Sequence, residues 1–480
     1  MGEYFVSALS LQVGANELER RIAWYQPKSY KSARVQLAPL ELYQRDGGFT
    51  DQNSFIVSAL VTEIYQNDDF VSCKARIPNL TAGAKYIYRV GCENIFDTES
   101  YAFAVEAEAS AHQSFFLVGD MHINVYRRSD ECDTTYINDR WQYLLSRANQ
   151  FESGHNPAYL LSVGDNISVC NMTNFAYPEK RTPKGAQEYA EMETAEFLAP
   201  REMKEIAFAT VLGNHDVLLQ GDGADLGLSG IVGYHYDMPN DDGFSGHYLD
   251  NTSGNFYFSS GELLVVGLTV VDPAEITANN TESCSYEVHR AFVEKAVASH
   301  PNAKWKIILN HVPEYSYIAY YSPSNGEDIK NKFSKIIDGL GFDIVFSGHQ
   351  HAFSRTHAMK GAEVVGAEVS DSTTDSNGYK VDTITNPGGV IHYNIPSAHD
   401  HAFYQRPYKE EPEKLFAAYG ITPSAFEDMK LKHPDEAEKF KGILYSSPMY
   451  TYVSMREGEM KIMTVRSDKN VAVDTLVIRK

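Results

Sequence analysis

Residues 159–166 read Tyr-Leu-Leu-Ser-Val-Gly-Asp-Asn, a short apolar run that ends in a glycine, a carboxylate and an amide. Similar apolar runs occur at 115–118, 207–212, 263–268, 305–309 and 343–346. Segments with apolar side chains at helical spacing lie between several of these runs, for example Trp141, Leu144, Leu145 and Ala148. Short buried strands that alternate with amphipathic helices predict a layered α/β domain.

Five of these six runs end in residue types that bind metals. The clusters are Gly119-Asp120-Met121-His122, Gly164-Asp165-Asn166, Gly213-Asn214-His215-Asp216, Asn310-His311 and Gly348-His349-Gln350-His351. Strand ends of a layered α/β domain face a common crevice, so these clusters are expected to converge, and a glycine before the ligand is expected to let the backbone turn sharply. One such cluster is most often a turn, but five at five strand ends indicate a metal centre. Carboxylate, amide and imidazole ligands suit a pair of Fe, Mn or Zn ions.

This ordered set of motifs resembles the calcineurin-like metallophosphoesterase superfamily, which implies a four-layer α/β sandwich. Pro313 and Tyr315 after His311, with the β-rich region that precedes the motifs, resemble the purple acid phosphatase branch. The resemblance implies hydrolysis of phosphate esters at two divalent or trivalent metal ions. It assigns the first metal to Asp120, His122 and His351, the second metal to Asn214, His311 and His349, and a bridging role to Asp165.

The same resemblance leaves His215 to protonate the departing alkoxide, because it adjoins a ligand without being one. We expect Asp216, the next residue, to orient His215 and favour its charged form. The alternative is that Asp216 only caps the following turn.

The motifs depart from the coloured enzymes of the branch at two positions. Ser168 stands where those enzymes have a tyrosine ligand to ferric iron, and His122 stands where they have glycine. An imidazole thus replaces a phenolate in the first metal's shell, which weakens the preference for Fe(III) and permits Mn(II), Fe(II) or Zn(II). The sequence therefore predicts no tyrosine ligand and a colourless enzyme.

Residues 1–110 are predicted to contain strands alone. Alternation at 71–77 and again at 86–92 marks half-buried strands, and the spacing Leu80-x-x-Gly83-x-x-Tyr86 with Trp24 resembles a fibronectin type III sandwich, in which a tyrosine braces a corner. We assign residues 111–480 to the catalytic domain. Alternating strands from about residue 449 are expected to complete its sheet, and residues 370–377 are expected to form a polar loop.

Five cysteines show no metal-type spacing, and their odd number leaves at least one free thiol. Cys73 and Cys92 would point into the sandwich, either bonded or merely packed. Cys132 and Cys170 follow the first two metal motifs and could be bridged, or could be buried thiols.

The formal charge of −22 and the pI near 5.1 would repel a polyanion, so we expect a small phosphorylated substrate and no nucleic acid polymer. The sequence has no apolar stretch long enough to span a membrane, so no membrane partner is expected. The first residues lack a signal-peptide pattern, but a mature form with its leader removed would look the same. A secreted, periplasmic or cell-surface location is expected, with a cytoplasmic one as the alternative, and the oligomeric state is left open.

Phosphomonoester hydrolysis is the first functional hypothesis. A phosphodiesterase or nucleotide hydrolase would use the same site, and a non-catalytic adhesion or binding protein is the alternative from another class. Two further groups could contact a substrate. Tyr315, Tyr317, Tyr320 and Tyr321 could form an aromatic wall or simply pack, and His399, Asp400 and His401 could contact a phosphate or belong to a surface loop.

Overall fold

The computed structural model describes residues 5–64, 67–93, 95–107, 112–123, 134–168, 183–217, 233–241, 255–269, 286–315, 334–349, 351, 353–361, 363–365, 369–398, 440–444 and 448–480. The strands are β1 (Ser7–Val13), β2 (Arg20–Pro27), β3 (Arg34–Pro39), β4 (Phe55–Ser58), β5 (Leu60–Glu63), β6 (Phe70–Ile77), β7 (Lys85–Cys92), β8 (Ile95–Phe96), β9 (Tyr101–Ala104), β10 (His112–Val118), β11 (Tyr159–Ser162), β12 (Ala207–Thr210), β13 (Phe256–Ser260), β14 (Leu263–Leu268), β15 (Trp305–Asn310), β16 (Ile344–Ser347), β17 (Phe353–Lys360), β18 (Glu363–Val364), β19 (Asp371–Thr374), β20 (Lys380–Thr385), β21 (Val390–Asn394), β22 (Phe440–Leu444), β23 (Met449–Arg456), β24 (Glu459–Arg466) and β25 (Val471–Arg479). The helices are α1 (Leu40–Asp46), α2 (Thr134–Asn149), α3 (Pro183–Phe197), α4 (Glu202–Glu205), α5 (Asn214–Val217) and α6 (Tyr286–Ser299), with helical turns at 233–235 and 334–337.

All six apolar runs predicted as strands are strands, namely β10, β11, β12, β14, β15 and β16. In one sheet β10, β11 and β12 are parallel neighbours, and in a second sheet β14, β15 and β16 are parallel neighbours. Parallel neighbours point their carboxyl ends the same way. The loops that carry the motifs therefore leave each sheet at one edge.

Alternation along the second sheet separates its two faces. Val265 and Ile307 belong to the core that contains β10 and β11, whereas Leu264, Ile308 and Val345 pack with the apolar side of α6. On the first sheet, Trp141 of α2 stacks on Phe197 of α3 and donates a hydrogen bond to its carbonyl. The result is the predicted four-layer arrangement of helices, sheet, sheet and helices.

The predicted return of the chain to the catalytic sheet near residue 449 is confirmed. β23 pairs antiparallel with β10 and is followed outward by β24, β25, β20 and β19. The expected polar loop at 370–377 is wrong in part, because β19 pairs with β20 in an exposed hairpin closed by a turn at Gly378, which has a φ of 83°. Its serines and threonines are exposed, so the strand has no apolar face to reveal it in the sequence.

The N-terminal strands form two facing sheets, with β1, β2, β5 and β6 in one and β3, β4, β7, β8 and β9 in the other. Tyr86 accepts a hydrogen bond from the Thr81 amide at 3.1 Å, the bracing contact expected of a corner tyrosine. The expectation of strands alone is wrong at α1. This helix buries no residue, and Gly47, whose φ of 73° provides a left-handed cap, ends it.

The N-terminal sandwich is joined edge to edge with the catalytic sheet. β1 lies parallel to β12 with Gln12 opposite Phe208, so one sheet of twelve strands runs through both parts. Cys73 and Cys92 inside the sandwich are free and buried, which decides between the two alternatives for this pair. Cys132 and Cys170 lie outside the described residues.

A buried ion cluster ties the two catalytic sheets together. Arg355 of β17 is 1% exposed and contacts Asp382 of β20 at 2.7 Å and Asp474 of β25 at 3.1 Å. Buried charges of this kind are costly unless they are paired, so the cluster fixes one packing of the two sheets.

Among the described residues, no helix is long and apolar enough to cross a membrane.

Candidate metal centre

All seven predicted metal ligands lie at the carboxyl ends of strands and come together in the fold. Asp120 and His122 follow β10, Asp165 follows β11, Asn214 opens α5 after β12, His311 follows β15, and His349 and His351 follow β16. The His349 amide donates a hydrogen bond to the Asp120 carboxylate of the other sheet at 2.8 Å, and the Gly348 amide donates to the carbonyl of His311 in its own sheet at 3.0 Å. The sheet edges therefore meet at one place.

The predicted ligands of the first metal form one cluster. His351 Nε2 lies 3.3 Å from Asp120 Oδ1 and 3.1 Å from His122 Nε2. Asp120, His122 and His351 each offer a ligand atom within 4.8 Å of the others. Two imidazole nitrogens and a carboxylate that face one another this closely suit a shared cation.

The predicted ligands of the second metal form an adjacent cluster. His311 Nε2 lies 3.0 Å from Asn214 Oδ1 and 3.2 Å from His349 Nδ1. His311 Nδ1 donates a hydrogen bond to the Val163 carbonyl at 2.9 Å, which orients the ring so that Nε2 faces the cluster.

Asp165 lies between the two clusters, where the bridging ligand is expected. Its Oδ2 is 3.1 Å from Nε2 of His311, which belongs to the second cluster, and 3.7 Å from Nε2 of His122, which belongs to the first. Burial raises the pKa of Asp165, but the neighbouring His311 and His215 outweigh this and hold the pKa well below its ordinary value. The donor set, with an ionised carboxylate at its centre, therefore fits a pair of cations.

The backbone at the site is strained. Asp120, His122, Asp165, His349 and His351 have φ between 48° and 66°, the left-handed region that favours glycine. Such positions cost about 1–3 kcal/mol each and persist where the surroundings hold them, most often at functional sites. Asp120 and His351 are far apart in the sequence but share this conformation, which indicates that both belong to one functional site.

We expected the glycines of the motifs to let the backbone turn sharply. Most of them are instead required because a side chain would not fit at their positions. Among the glycines of the motifs only Gly164 has a positive φ, 95°, whereas Gly119 and Gly348 precede ligands that adopt it themselves. A Cβ added at Gly213 would lie 2.1 Å from Asp165 Oδ1, and one at Gly348 would lie 2.6 Å from Asp120 Oδ2. Neighbouring carboxylates therefore occupy the volume that a side chain would need.

The structure gives Asp216 a different role from the predicted orientation of His215. Its carboxylate accepts hydrogen bonds from the amides of Asp165 at 2.8 Å, Asn166 at 2.9 Å, Ile167 at 3.1 Å and Gly213 at 2.7 Å. Burial and the charge of Asp165 raise the pKa of Asp216, while these N–H donors favour its anionic form. Asp216 thus holds the loop that carries Asp165.

Ser168, the position that departs from the coloured enzymes, contacts a predicted ligand. Its hydroxyl lies 3.2 Å from His122 Nδ1, and its amide donates to Glu193 Oε2 at 2.9 Å. A contact to the second ring nitrogen orients an imidazole ligand. The histidine and serine that replace glycine and tyrosine are therefore direct neighbours.

His215 lies beside both clusters on α5. Its amide donates to Asp165 Oδ1 at 2.7 Å, and its ring meets the His122 ring edge to face at a centroid distance of 4.6 Å. Burial lowers the pKa of His215, and the Asp165 carboxylate acts in the opposite direction. The charges that favour a protonated ring come from Asp165 and then from Asp120.

The remaining candidates divide into packed residues and residues outside the described part of the chain. Tyr315 is 1% exposed and donates to the Gly361 carbonyl at 2.8 Å, so it packs and does not line a substrate wall. Asn166 and Asn310 turn their amides to Thr210 and to the Val312 carbonyl. Tyr317, Tyr320, Tyr321, His399, Asp400 and His401 lie outside the described residues.

Two residues that hydrogen-bond to the loops of the predicted ligands were not predicted from the sequence. Glu193 holds the Ser168 amide, and Ser397 donates from its hydroxyl to the Asp120 carbonyl at 2.8 Å. Neither residue lies in a motif, so no local signal in the sequence could have found them.

Asp216→Asn tests the role of the carboxylate in holding the Asp165 loop. An asparagine side chain presents N–H groups to two of the four amide donors, so at least two charge-assisted hydrogen bonds are lost. The free energy of unfolding, measured by urea denaturation, is expected to fall by about 2–4 kcal/mol, and metal retained after dialysis to fall with it. Asp371→Asn, on exposed β19, is the control. Equal stability and metal content in the two variants would contradict this role.

Comparison with known proteins agrees with the geometry. The family model for calcineurin-like phosphoesterases matches residues 114–353, half of the chain and all seven predicted ligands. The fold is similar to that of a purple acid phosphatase from yellow lupin (Lupinus luteus) seeds, at 14% identity and a TM-score of 0.64 over 99% of this chain and 74% of that one. A predicted phosphoesterase from Streptococcus pneumoniae TIGR4 aligns at 8% identity and a TM-score of 0.24, over 78% of this chain and 100% of that one. None of the curated protein sequences is a significant match. The chain belongs to the calcineurin-like phosphoesterase family and is a metal-dependent phosphoesterase.

Proposed function

We propose that the chain hydrolyses phosphomonoesters, with His215 as the general acid. The observation that carries the proposal is the position of His215, whose amide holds Asp165 and whose ring lies beside His122. His215 is not one of the seven predicted ligands, and one of its ring nitrogens lies within 4.8 Å of ligand atoms of His122 and Asp165. We assign its imidazole to the delivery of a proton to an oxygen that leaves from the same crevice.

The residues that would hold the two metal ions are those of the two clusters with Asp165 between them. When bound, such a pair of cations acidifies a water molecule and offsets charge on the phosphoryl group. The chain's own residues do the rest. Asp165 and Asp120 supply negative charge on a strained, rigid backbone, and Asp216 keeps the Asp165 loop in place, so little reorganisation is required as charge develops.

The preference for monoesters is supported by the fold shared with a purple acid phosphatase, and the test is a direct comparison of substrates. We expect kcat/KM for an aryl phosphate to exceed that for its bis-aryl diester by about tenfold or more, because a site fitted to one ester group leaves the second one unaccommodated. Equal or faster turnover of the diester, or of a nucleotide diester, would favour the phosphodiesterase alternative. Absence of turnover on every ester, with metal supplied, would favour a binding protein.

The general-acid role of His215 has a specific kinetic signature. His215→Asn is expected to lower kcat by about 10²–10⁴-fold on an alkyl phosphate, whose leaving alkoxide needs a proton. On a nitrophenyl phosphate the loss should be much smaller, since that leaving group departs without help. His300→Asn, on a partly buried histidine after α6, serves as the control. A loss that is the same for both leaving groups would refute the proton-transfer role.

The metal pair is proposed to be Fe, Mn or Zn without a tyrosine ligand. Ser168 occupies the tyrosine position and contacts His122, so no phenolate is available there to transfer charge to ferric iron. Protein purified with Fe, Mn or Zn should therefore lack an intense visible band. A strong visible absorption band in the iron-loaded protein would contradict this assignment.

A further inference from the structure

The segment 233–238 lies between the N-terminal sandwich and the catalytic domain. It is the next described part of the chain after α5, which carries Asn214 and His215. Most of its side chains are deeply buried, with His235 1%, Tyr236 2% and Met238 1% exposed. A single helical turn followed by irregular chain is too short to satisfy its own carbonyl groups, and buried carbonyls without partners are costly.

The sandwich supplies those partners. Lys74 donates from Nζ to the carbonyls of Gly233 at 2.7 Å and Tyr236 at 2.5 Å, and the Ser72 hydroxyl donates to the carbonyl of Tyr234 at 2.6 Å. Both donors stand on β6. Three of the six carbonyls in the segment are thus held by one strand of the N-terminal sandwich.

Two further sandwich residues complete the set. Gln12 of β1 donates to the His235 carbonyl at 2.9 Å and accepts from the Asp237 amide at 2.7 Å. Arg21 of β2 donates to the carbonyls of Asp237 at 3.4 Å and Met238 at 3.1 Å. Every carbonyl from residue 233 to residue 238 therefore accepts a hydrogen bond from a side chain of the sandwich.

The other side of the segment faces the supports of the metal centre. The Tyr236 ring lies 5.7 Å from that of Phe208 on β12, the strand that leads into the Gly213 motif. Burial, and then the charge of Asp216, raise the pKa of Tyr236. His235 also contacts Glu191 at 2.7 Å on α3, the helix whose Glu193 holds Ser168.

We propose that the N-terminal sandwich is a positioning element of the metal centre, which acts by anchoring residues 233–238. Tyr236 of this segment packs on Phe208 of β12, and His235 contacts Glu191 of α3. Fixing the segment therefore supports the strand that leads into the motif of Asn214, His215 and Asp216. Lys74, Ser72, Gln12 and Arg21 are then positioning residues, although none belongs to a catalytic motif. The catalytic consequence rests on the proposed function, and the anchoring itself does not.

Lys74→Met is the sharpest test, because it keeps the length and apolar stem of the side chain and removes both of its donors. Amide hydrogen exchange of peptides covering 233–241 is expected to speed up by about tenfold. The value of kcat on an aryl phosphate is expected to fall several-fold, with KM and metal content unchanged. Lys85→Met, on an exposed position of β7 in the same sandwich, is the matched control and should change neither quantity.

Each result decides the inference. Unchanged exchange at 233–241 would overturn the anchoring, and faster exchange with unchanged kcat would overturn the positioning role. If Lys74→Met fails to fold, Ser72→Ala removes a single contact and should shift exchange in the same direction. An inactive wild-type chain would refute the proposed function, whereas the exchange comparison would still decide the anchoring.

Discussion

The Asp165 carboxylate is the constraint on which the site depends. It joins the two sheets, since His122 reaches it from the first sheet and His311 from the second. An ionised carboxylate inside a protein is tolerated only with partners around it, and here they are imidazoles and the His215 amide. Asp216 holds the same loop from behind through backbone amides. The strained backbone at the predicted ligands is thus stabilised by hydrogen bonds to residues such as Asp216, which is not a predicted ligand itself.

The N-terminal sandwich and the catalytic domain share more structure than a linear division at residue 110 suggests. A single sheet of twelve strands runs through both, and sandwich side chains satisfy the carbonyls of 233–238. The boundaries 1–110 and 111–480, and the assignment of the sandwich to the fibronectin type III class, stay predictions. The parts are continuous because β1 and β12 pair directly.

The sequence predicts the strands and the convergence of the seven candidate ligands well because both follow local rules. An apolar run such as 159–163 defines a strand by itself, and the candidate ligands stand within a few residues of the strand ends. The sequence does not reveal that Asp216 holds the Asp165 loop, because the amides of Asp165, Asn166 and Ile167 lie about fifty residues away and carry no side-chain signal. Helix α1 and strand β19 were missed because each is exposed and leaves no apolar pattern.

The central claim is that side chains from both sheets share one pair of cations through Asp165. Elemental analysis of the purified chain, compared with Asp165→Asn, tests it most directly. The account predicts about two metal equivalents per wild-type chain and loss of at least one in the variant. A wild-type chain that binds no metal when supplied with Fe, Mn or Zn, or an Asp165→Asn variant that keeps both equivalents, would contradict it.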